Sequence, residues 1–198
     1  DFGANTFYSA AYPNQWEATQ RHLTSVTADV PLCFSGPYKR NVTLHLSPQG
    51  AWMRNLDHFQ LIRDTPTGEN FHRTDVLTTA LNAWLDWRIG RTSVGGEWRR
   101  EEIISSNLGR PRALPSGHYN HYDGRSNVSL YAEQSLILRA FTLSVGFMAE
   151  RNTALDNRFR FYPGVDLSYR IAPALRLYAS WNRSLRLPTC TDLYYKSP

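Results

Sequence analysis

The residues best suited to chemistry form one short cluster near the middle of the chain. They are two histidines, two tyrosines and an aspartate, namely His118, Tyr119, His121, Tyr122 and Asp123. Two imidazoles and a carboxylate could ligate a transition metal, but histidines three residues apart on an irregular loop fix no ligand geometry. The pattern therefore favours exposed loop residues, with contact to a ligand as the second interpretation, and we predict no metal site.

Two other pairs of titratable residues come closest to catalytic groups. They are Asp57 with His58 and Glu101 with Glu102. Acid–base catalysis needs two groups that converge on the reacting atoms, whereas neighbours in a strand point to opposite faces. The sequence contains no glycine-rich phosphate loop, serine nucleophile elbow or zinc-ligand spacing. We therefore predict no catalytic residue and no cofactor, and we expect that the protein is not an enzyme.

The elements that must position these residues are β-strands, and the clearest ones lie between Phe159 and Tyr195. Each strand there has one apolar and one hydrogen-bonding face. The short Ala172-Pro173-Ala174 turn between them predicts a β-hairpin. Apolar residues take alternate positions, which is the strand period, in two runs: Val165, Leu167, Tyr169 and Ile171, then Leu175, Leu177, Ala179, Trp181, Leu185 and Leu187.

Similar alternation predicts strands along most of the remaining chain. The clean examples are two hairpins that turn near Gly90 and near residues 136–139, and weaker strands are expected over 16–26, 41–46 and 52–63. Turns are expected over Asp29–Pro37 and Ser47–Gly50, and a polar loop of about twenty residues over 107–126. No segment has the apolar stripe of a helix. The predicted fold class is therefore all-β, an antiparallel up-and-down meander.

The expected connections are asymmetric. Turns near residues 90, 138 and 173 are short, whereas the connections over 107–126 and 152–158 are longer and polar. In an up-and-down sheet, all the short turns then lie at one end and all the long loops at the other. Outer-membrane barrels have this arrangement, and strands of about ten to sixteen residues suit a tilted crossing that continues beyond the membrane.

Composition narrows the class of partner. The net charge of +5 and the pI near 9.4 would suit a nucleic-acid binder, but the arginines are spread singly along polar strand faces, so we expect no nucleic-acid partner. Aromatic residues make up 13% of the chain, and the mean hydropathy of −0.48 together with the absence of any long apolar run excludes a transmembrane helix. Cys33 and Cys190 lie at opposite ends without metal-ligand spacing and are interpreted as unpaired.

Five segments in order along the chain carry a resemblance to a known family. They read FGANTFYSAAYPNQWE, NFHRTDV, GRTSVGGEWRREEIISSNLG, FYPGVDLSYR and LYASWNRSLRLPTCTDLYYKS. These segments resemble the barrel of TonB-dependent outer-membrane receptors, in particular the cobalamin-receptor-like members from Bacteroidetes. SLRLPT-TDLYY is the most specific motif for the receptor class, although Cys190 stands where the family usually has phenylalanine. FGANTFYS and GRTSVGGEWRREEI carry the likeness to the cobalamin branch.

The resemblance implies that residues 1–198 are an internal part of a transmembrane β-barrel of about 22 strands. The plug domain, the region that meets TonB and the closing strands would then lie outside this chain. Its expected location is the cell outer membrane, and its expected partners are outer-membrane lipid, the TonB complex through the missing plug region, and a nutrient ligand such as cobalamin. The implied function is TonB-dependent uptake of a scarce, bulky nutrient.

The resemblance also implies where the ligand binds. Aromatic rings on the outer loops and in the upper lumen of such a receptor hold a large ligand. The candidate ligand-binding residues are Tyr8, Tyr12, Trp16, Tyr119 and Tyr122, and loop packing is the alternative role. On the polar strand faces, five arginines are expected to pair with Glu97, Asp86 and Asp166 across strands, and these arginines are Arg88, Arg99, Arg170, Arg176 and Arg186.

Two other functions remain open at this point. A soluble carbohydrate-binding β-sandwich would also be rich in aromatic residues, and its apolar faces would bury against each other in water. A small eight-stranded outer-membrane barrel would need the two ends of the chain to pair.

Overall fold

A computed structural model describes residues 14–35, 41–186, 188–189 and 193–194. These residues form one antiparallel sheet, in which the order of the main strands is β1-β3-β4-β5-β7-β8-β9-β10, while β2 pairs with β3 and β6 with β7. The all-β up-and-down meander is therefore confirmed. The strands are β1 (Trp16–Thr27), β2 (Val30–Ser35), β3 (Asn41–Gln60), β4 (Asn70–Trp87), β5 (Gly90–Ser105), β6 (Arg110–Ser116), β7 (Tyr119–Ile137), β8 (Phe141–Asn152), β9 (Arg160–Ala172) and β10 (Leu175–Asn182).

The predicted turn at Ser47–Gly50 is wrong, because β3 runs through it without interruption. The interruption falls on the neighbouring strand instead, since β1 and β2 pair with consecutive parts of β3 and are separated only by residues 28–29. The Ala28 amide donates to the Pro48 carbonyl oxygen at 3.1 Å. Proline has no N–H to offer, so the break in the neighbouring strand lies where β3 lacks a donor. Most of the turn predicted over Asp29–Pro37 is also wrong, because Val30–Ser35 form β2 and pair with the first residues of β3.

The predicted polar loop over 107–126 is also wrong. Most of it is the hairpin of β6 and β7, and β7 pairs with β5 as far as His121. Two glycines with positive φ make the reversals, at 108° for Gly109 and 59° for Gly117. Gly109 also crosses close to β7, because a Cβ there would lie 2.7 Å from the Tyr122 carbonyl carbon. Residues 107–126 read as a loop in the sequence because they lack the regular apolar alternation of the other strands, and only their backbone pairing identifies them as strands.

The asymmetry of the connections is confirmed. Residues 88–89, 138–140 and 173–174 make short turns at one end of the sheet, whereas longer connections over 61–69, 106–118 and 153–159 lie at the other. We call these the short-turn end and the loop end.

Strand register gives the sheet two chemically different faces. One face carries a continuous apolar band whose side chains remain exposed, for example 54% for Leu81 and 52% for Phe147. In a membrane barrel this is the face that contacts lipid. We call it the apolar-band face and the other one the polar face. The band comprises Val26, Trp52, Leu77, Leu81, Trp87, Val94, Trp98, Leu130, Val145, Phe147, Phe161, Val165, Leu177 and Trp181.

The few buried apolar side chains lie mainly towards the loop end, where the long strands and their connections pack together. They are Val76, Ile103, Leu108, Ala149 and Tyr162. No helix among the described residues is long and apolar enough to cross a membrane.

Candidate functional site

A stack of four rings lies at the loop end, on the apolar-band face. His58 is directly opposite Phe71 in the β3–β4 ladder, and their rings stack at 4.2 Å. Trp16 meets His58 edge-on at 5.1 Å, and Phe71 stacks on His118 at 4.1 Å. The stack joins β1, β3, β4 and the turn between β6 and β7, so it ties together connections that are far apart in the sequence.

A carboxylate anchors this stack. Glu69 Oε1 lies 2.7 Å from His58 Nε2 and accepts a hydrogen bond from Gln60 Nε2 at 3.0 Å. These two hydrogen bonds stabilise the charged carboxylate and hold the pKa of Glu69 below its usual value. The ionised Glu69 carboxylate therefore ties the end of the 61–69 connection to two side chains of β3, and its role is structural.

The polar face has a charged network at the same end of the sheet. Arg125 of β7 lies directly opposite Glu101 of β5, and its guanidinium donates to the Glu101 carboxylate. Arg99 pairs with the other oxygen of Glu101. The side chains of Arg125 and Glu101 are 17% and 19% exposed, so this pair is largely shielded from water.

This network holds the chain that follows β10 against the polar face. Arg125 Nη1 also donates to the Pro188 carbonyl oxygen, and the Tyr194 hydroxyl donates to Asp123 Oδ2 at 2.6 Å. The Asp123 carboxylate raises the pKa of Tyr194, because the anionic oxygen favours the protonated phenol. Parts of the SLRLPT-TDLYY motif therefore lie across β5 and β7. We call residues 188–189 and 193–194 the docked segment.

The expected arginine pairs on the polar face differ from those found. Arg99 pairs with Glu101 rather than with Glu97, and Asp86 pairs with Arg91 across the short turn at 2.7 Å. Asp166 accepts hydrogen bonds from the side chains of Ser180 and Asn182. Which charged neighbours meet depends on strand register, which the sequence pattern does not specify.

The predicted ligand-binding residues lie in different places. Tyr8 and Tyr12 fall outside the described residues. Trp16 belongs to the ring stack, whereas Tyr119 begins β7 at the tip of the β6–β7 hairpin, half-buried. The Tyr122 hydroxyl lies 3.2 Å from both Arg100 Nη2 and Glu102 Oε1. No contact described joins Trp16, Tyr119 and Tyr122 to one another, and their role as ligand contacts stays a prediction.

The histidines and the aspartate of the central cluster also have separate partners. His118 stacks on Phe71, His121 Nδ1 lies 3.0 Å from the Ser106 carbonyl oxygen, and Asp123 bonds Tyr194. Within the described parts of the chain, no group of three or more histidine, cysteine, aspartate or glutamate side chains could hold a metal ion. Asp57 and His58 lie on opposite faces, since Asp57 pairs with His72 and His58 with Phe71.

Sequence reasoning missed the roles of Arg125 and Glu69. In the sequence, Arg125 is one of many single arginines on a polar face. Its role becomes evident only from the strand register, which places it opposite Glu101. Glu69 ends a loop rich in turn residues, and it acquires its partners only when β3 and β4 pair.

Comparison with known proteins agrees with this architecture. A model of the family described as TonB dependent receptor-like, beta-barrel matches residues 1–197. No curated protein and no solved structure matches the chain. A β-sandwich would divide the strands between two packed sheets, whereas all ten described strands belong to one sheet with an exposed apolar band. The chain therefore belongs to the TonB-dependent receptor-like β-barrel family, whose members are outer-membrane receptors and transporters rather than enzymes.

Proposed function

We propose that this chain is part of a receptor that captures a scarce, bulky nutrient outside the cell and passes it inward with energy supplied through TonB. A cobalamin-like molecule is the favoured ligand. The observation that carries the proposal is the family match over residues 1–197. The two-sided sheet supports it, because an exposed apolar band opposite a polar face suits a barrel wall between lipid and an aqueous lumen.

The chemistry of the loop end suits a large ligand. Aromatic rings provide flat contact surfaces, and amide and carboxylate groups orient a ligand through a few hydrogen bonds. In this proposal, ligand contacts come from the loop-end connections and the upper polar face, with Tyr119 as the described residue to test first. The cobalamin preference rests on the FGANTFYS and GRTSVGGEWRREEI segments alone.

The proposal also assigns the remaining parts of the receptor to the rest of the same protein. These parts are a plug domain, the region that contacts TonB, and the further strands of a barrel of about 22. In the described part of the chain, β1 and β10 lie at opposite edges of the sheet and do not pair with each other. Open strand edges invite pairing with further strands, so a small closed barrel of these strands alone is not favoured.

Titration of the intact receptor in detergent tests the ligand. We expect cyanocobalamin to bind, and haem, a ferric siderophore and a maltooligosaccharide to bind at least tenfold more weakly. Tyr119→Ala should weaken binding by about five- to tenfold, because a buried aromatic contact is worth about 1 to 1.5 kcal/mol. Tyr178→Ala is the matched control, since Tyr178 is 73% exposed on β10 near the short-turn end.

The outcomes separate the ligand from the receptor function. Binding of haem, siderophore or glycan without cobalamin would reject the cobalamin branch and keep the receptor. Uptake of the bound nutrient should stop when a protonophore collapses the proton gradient. Uptake that continues without the gradient, or without TonB, would contradict the transport proposal itself.

A further inference from the structure

Two facing glycines open a cavity on the polar face of the sheet. Gly146 of β8 is directly opposite Gly164 of β9, so neither position carries a side chain. Glu133 of β7 is opposite Gly146, and Asn182 of β10 is opposite Gly164. The glycine floor therefore lies between two polar side chains, and the cavity above it has a volume of about 240 Å³. This space suits a small molecule that lies flat against the wall.

The cavity lies behind the apolar band. Val145 and Phe147 flank Gly146 on β8 and point to the opposite face, where both are exposed. In a membrane barrel, the cavity therefore opens into the aqueous lumen at a depth where the outer face contacts lipid. Fixed charges on such a wall, backed by a low-dielectric medium, attract counter-ions more strongly than charges in open water.

Two carboxylates without a basic partner border the cavity. Glu133 and Asp166 both line it, and neither forms an ion pair in the part of the chain that the structure describes. Arg183 also borders the cavity, but its amide donates to the Pro163 carbonyl oxygen as a continuation of the β10 ladder. This register places Arg183 on the apolar-band face, because Asn182 before it lies on the polar face. The carboxylates therefore make the cavity negative.

Two serines lie between these carboxylates and set their spacing. Ser135 Oγ donates to Glu133 Oε1 at 2.8 Å, and Ser144 Oγ lies 2.7 Å from Ser135 Oγ. Because the Ser135 proton goes to Glu133, Ser144 donates to Ser135, and the Ser144 oxygen can still accept a hydrogen bond from the cavity. Ser144 is directly opposite Asp166. The two carboxylates therefore stand on strands that are two spacings apart, about 10 Å, with the Ser144 oxygen between them.

A buried phenol without a partner borders the same cavity. Tyr162 lines it two residues from Gly164, and this tyrosine is only 7% exposed. Its hydroxyl makes no hydrogen bond to any residue that the structure describes, whereas buried tyrosine hydroxyls usually have a partner. Asn182 uses its amide nitrogen on Asp166 and Ser180, and its Oδ1 lies over Gly164, where a Cβ would be 2.1 Å away. These unused oxygens point to a ligand that donates hydrogen bonds.

We propose that this cavity binds a short aliphatic diamine of the putrescine class, with one ammonium group on Glu133 and the other on Asp166. An ammonium group has three donors and no acceptor, which matches the carboxylates, the Ser144 oxygen and Asn182 Oδ1. The methylene chain between the two charges lies on the glycine floor beside the Tyr162 ring. A single ammonium group or a metal ion would engage one carboxylate at a time, because the two stand about 10 Å apart. The inference needs the aqueous lumen of the barrel and goes beyond the proposed nutrient.

Isothermal titration calorimetry of the intact receptor in detergent, in a buffer free of amines, tests this inference with putrescine. The matched ligand is n-butylamine, which has the same carbon chain and only one ammonium group. We expect putrescine to bind about tenfold more tightly or better, because a hydrogen bond between charged groups contributes at least that factor.

Four variants assign the binding to this cavity. Glu133→Gln and Asp166→Asn should each weaken putrescine binding about tenfold and remove its advantage over butylamine. Tyr162→Phe should weaken binding about fivefold, because it removes a neutral hydrogen-bond partner. Glu97→Gln is the matched control, since it removes a carboxylate from the polar face outside this cavity, and it should bind putrescine normally. Each substitution nearly conserves side-chain volume, so we expect every variant to fold.

Three results would overturn the proposal. Butylamine could bind as tightly as putrescine, which would identify a site for a single cation. Glu97→Gln could weaken binding as much as Glu133→Gln, which would mean a general attraction to the lumen wall. The intact receptor could also bind no putrescine, which would mean that another part of the protein fills the cavity.

Nutrient titration of the same preparations separates this inference from the proposed function. Nutrient binding without putrescine binding would refute the diamine site alone. Putrescine binding that depends on Glu133 and Asp166, without any nutrient binding, would keep the diamine site and contradict the nutrient proposal.

Discussion

Replacement of Arg125 by methionine should release the docked segment from the polar face while the barrel wall remains folded. The substitution removes the hydrogen bond to the Pro188 carbonyl and one of two guanidinium partners of Glu101. Glu101 keeps Arg99 as a partner, so no carboxylate is left unpaired in the shielded network. Methionine fills most of the space of the arginine stem. The change therefore acts mainly on the contact between the docked segment and the polar face.

The size of the effect follows from the bond that is lost. A hydrogen bond to a charged group contributes about 1.5 to 3 kcal/mol, which corresponds to a roughly 10- to 150-fold larger open population. Hydrogen exchange measures this local opening. The Leu193 amide is the reporter, because it donates to the Thr189 carbonyl within the segment at 3.1 Å. The Arg183 amide donates to Pro163 at 3.1 Å as a continuation of the β10 ladder, and it should exchange as in the wild type.

Two further variants make this prediction specific. Arg99→Met removes the other partner of Glu101 without contacting Pro188, and we expect it to change Leu193 exchange by less than about fivefold, the range of a weak ion pair. Tyr194→Phe removes only the hydroxyl that donates to Asp123 and should accelerate Leu193 exchange about tenfold. Unchanged Leu193 exchange in both Arg125→Met and Tyr194→Phe would refute the docking argument. Equal acceleration by Arg99→Met would show that the network, and not the contact with Pro188, holds the segment.

Three other perturbations test the fold and the loop end. Gly90→Ala should lower the free energy of unfolding in urea by about 1 to 3 kcal/mol, because its Cβ would lie 2.0 Å from a carbonyl oxygen of β7. Gly50→Ala should be tolerated, since no atom lies within 4 Å of a Cβ at that position. Equal effects of the two variants would contradict the close packing at Gly90. Leu81→Arg should make the free energy of folding into lipid vesicles less favourable by about 2 to 4 kcal/mol, whereas Ala80→Arg on the polar face should leave it unchanged. Similar losses in the two variants would mean that the apolar band does not contact lipid. Because hydrogen bonds depress the pKa of Glu69, this group contributes stability above its usual value of 4.5 that is lost as pH falls through the lower folded value. Tryptophan fluorescence should therefore show an acid transition below about pH 4.5 that Glu69→Gln removes, and a transition that persists in this variant would assign it to another group.

The sequence determined the sidedness of the strands and the asymmetry of their connections. Alternation has the period of the strand itself, so Leu77 and Leu81 could be placed on one face before any strand was paired. The short turns near residues 90, 138 and 173 could be predicted from the same pattern, because each lies between two runs of alternating apolar residues. The family could also be inferred from short segments, since each is a local string of residues. These conclusions need only local information.

The tertiary structure alone decided which residues meet. The register between two strands is set by the apolar pattern together with the geometry of the connecting turn, and no single residue specifies it. The structure therefore had to show that Arg125 meets Glu101, that His58 stacks on Phe71, and that the strand break at residues 28–29 lies beside Pro48. The polar hairpin of β6 and β7 reads as a loop because its residues lack the regular apolar alternation of the other strands. Its strands became visible only through the backbone ladder that pairs them.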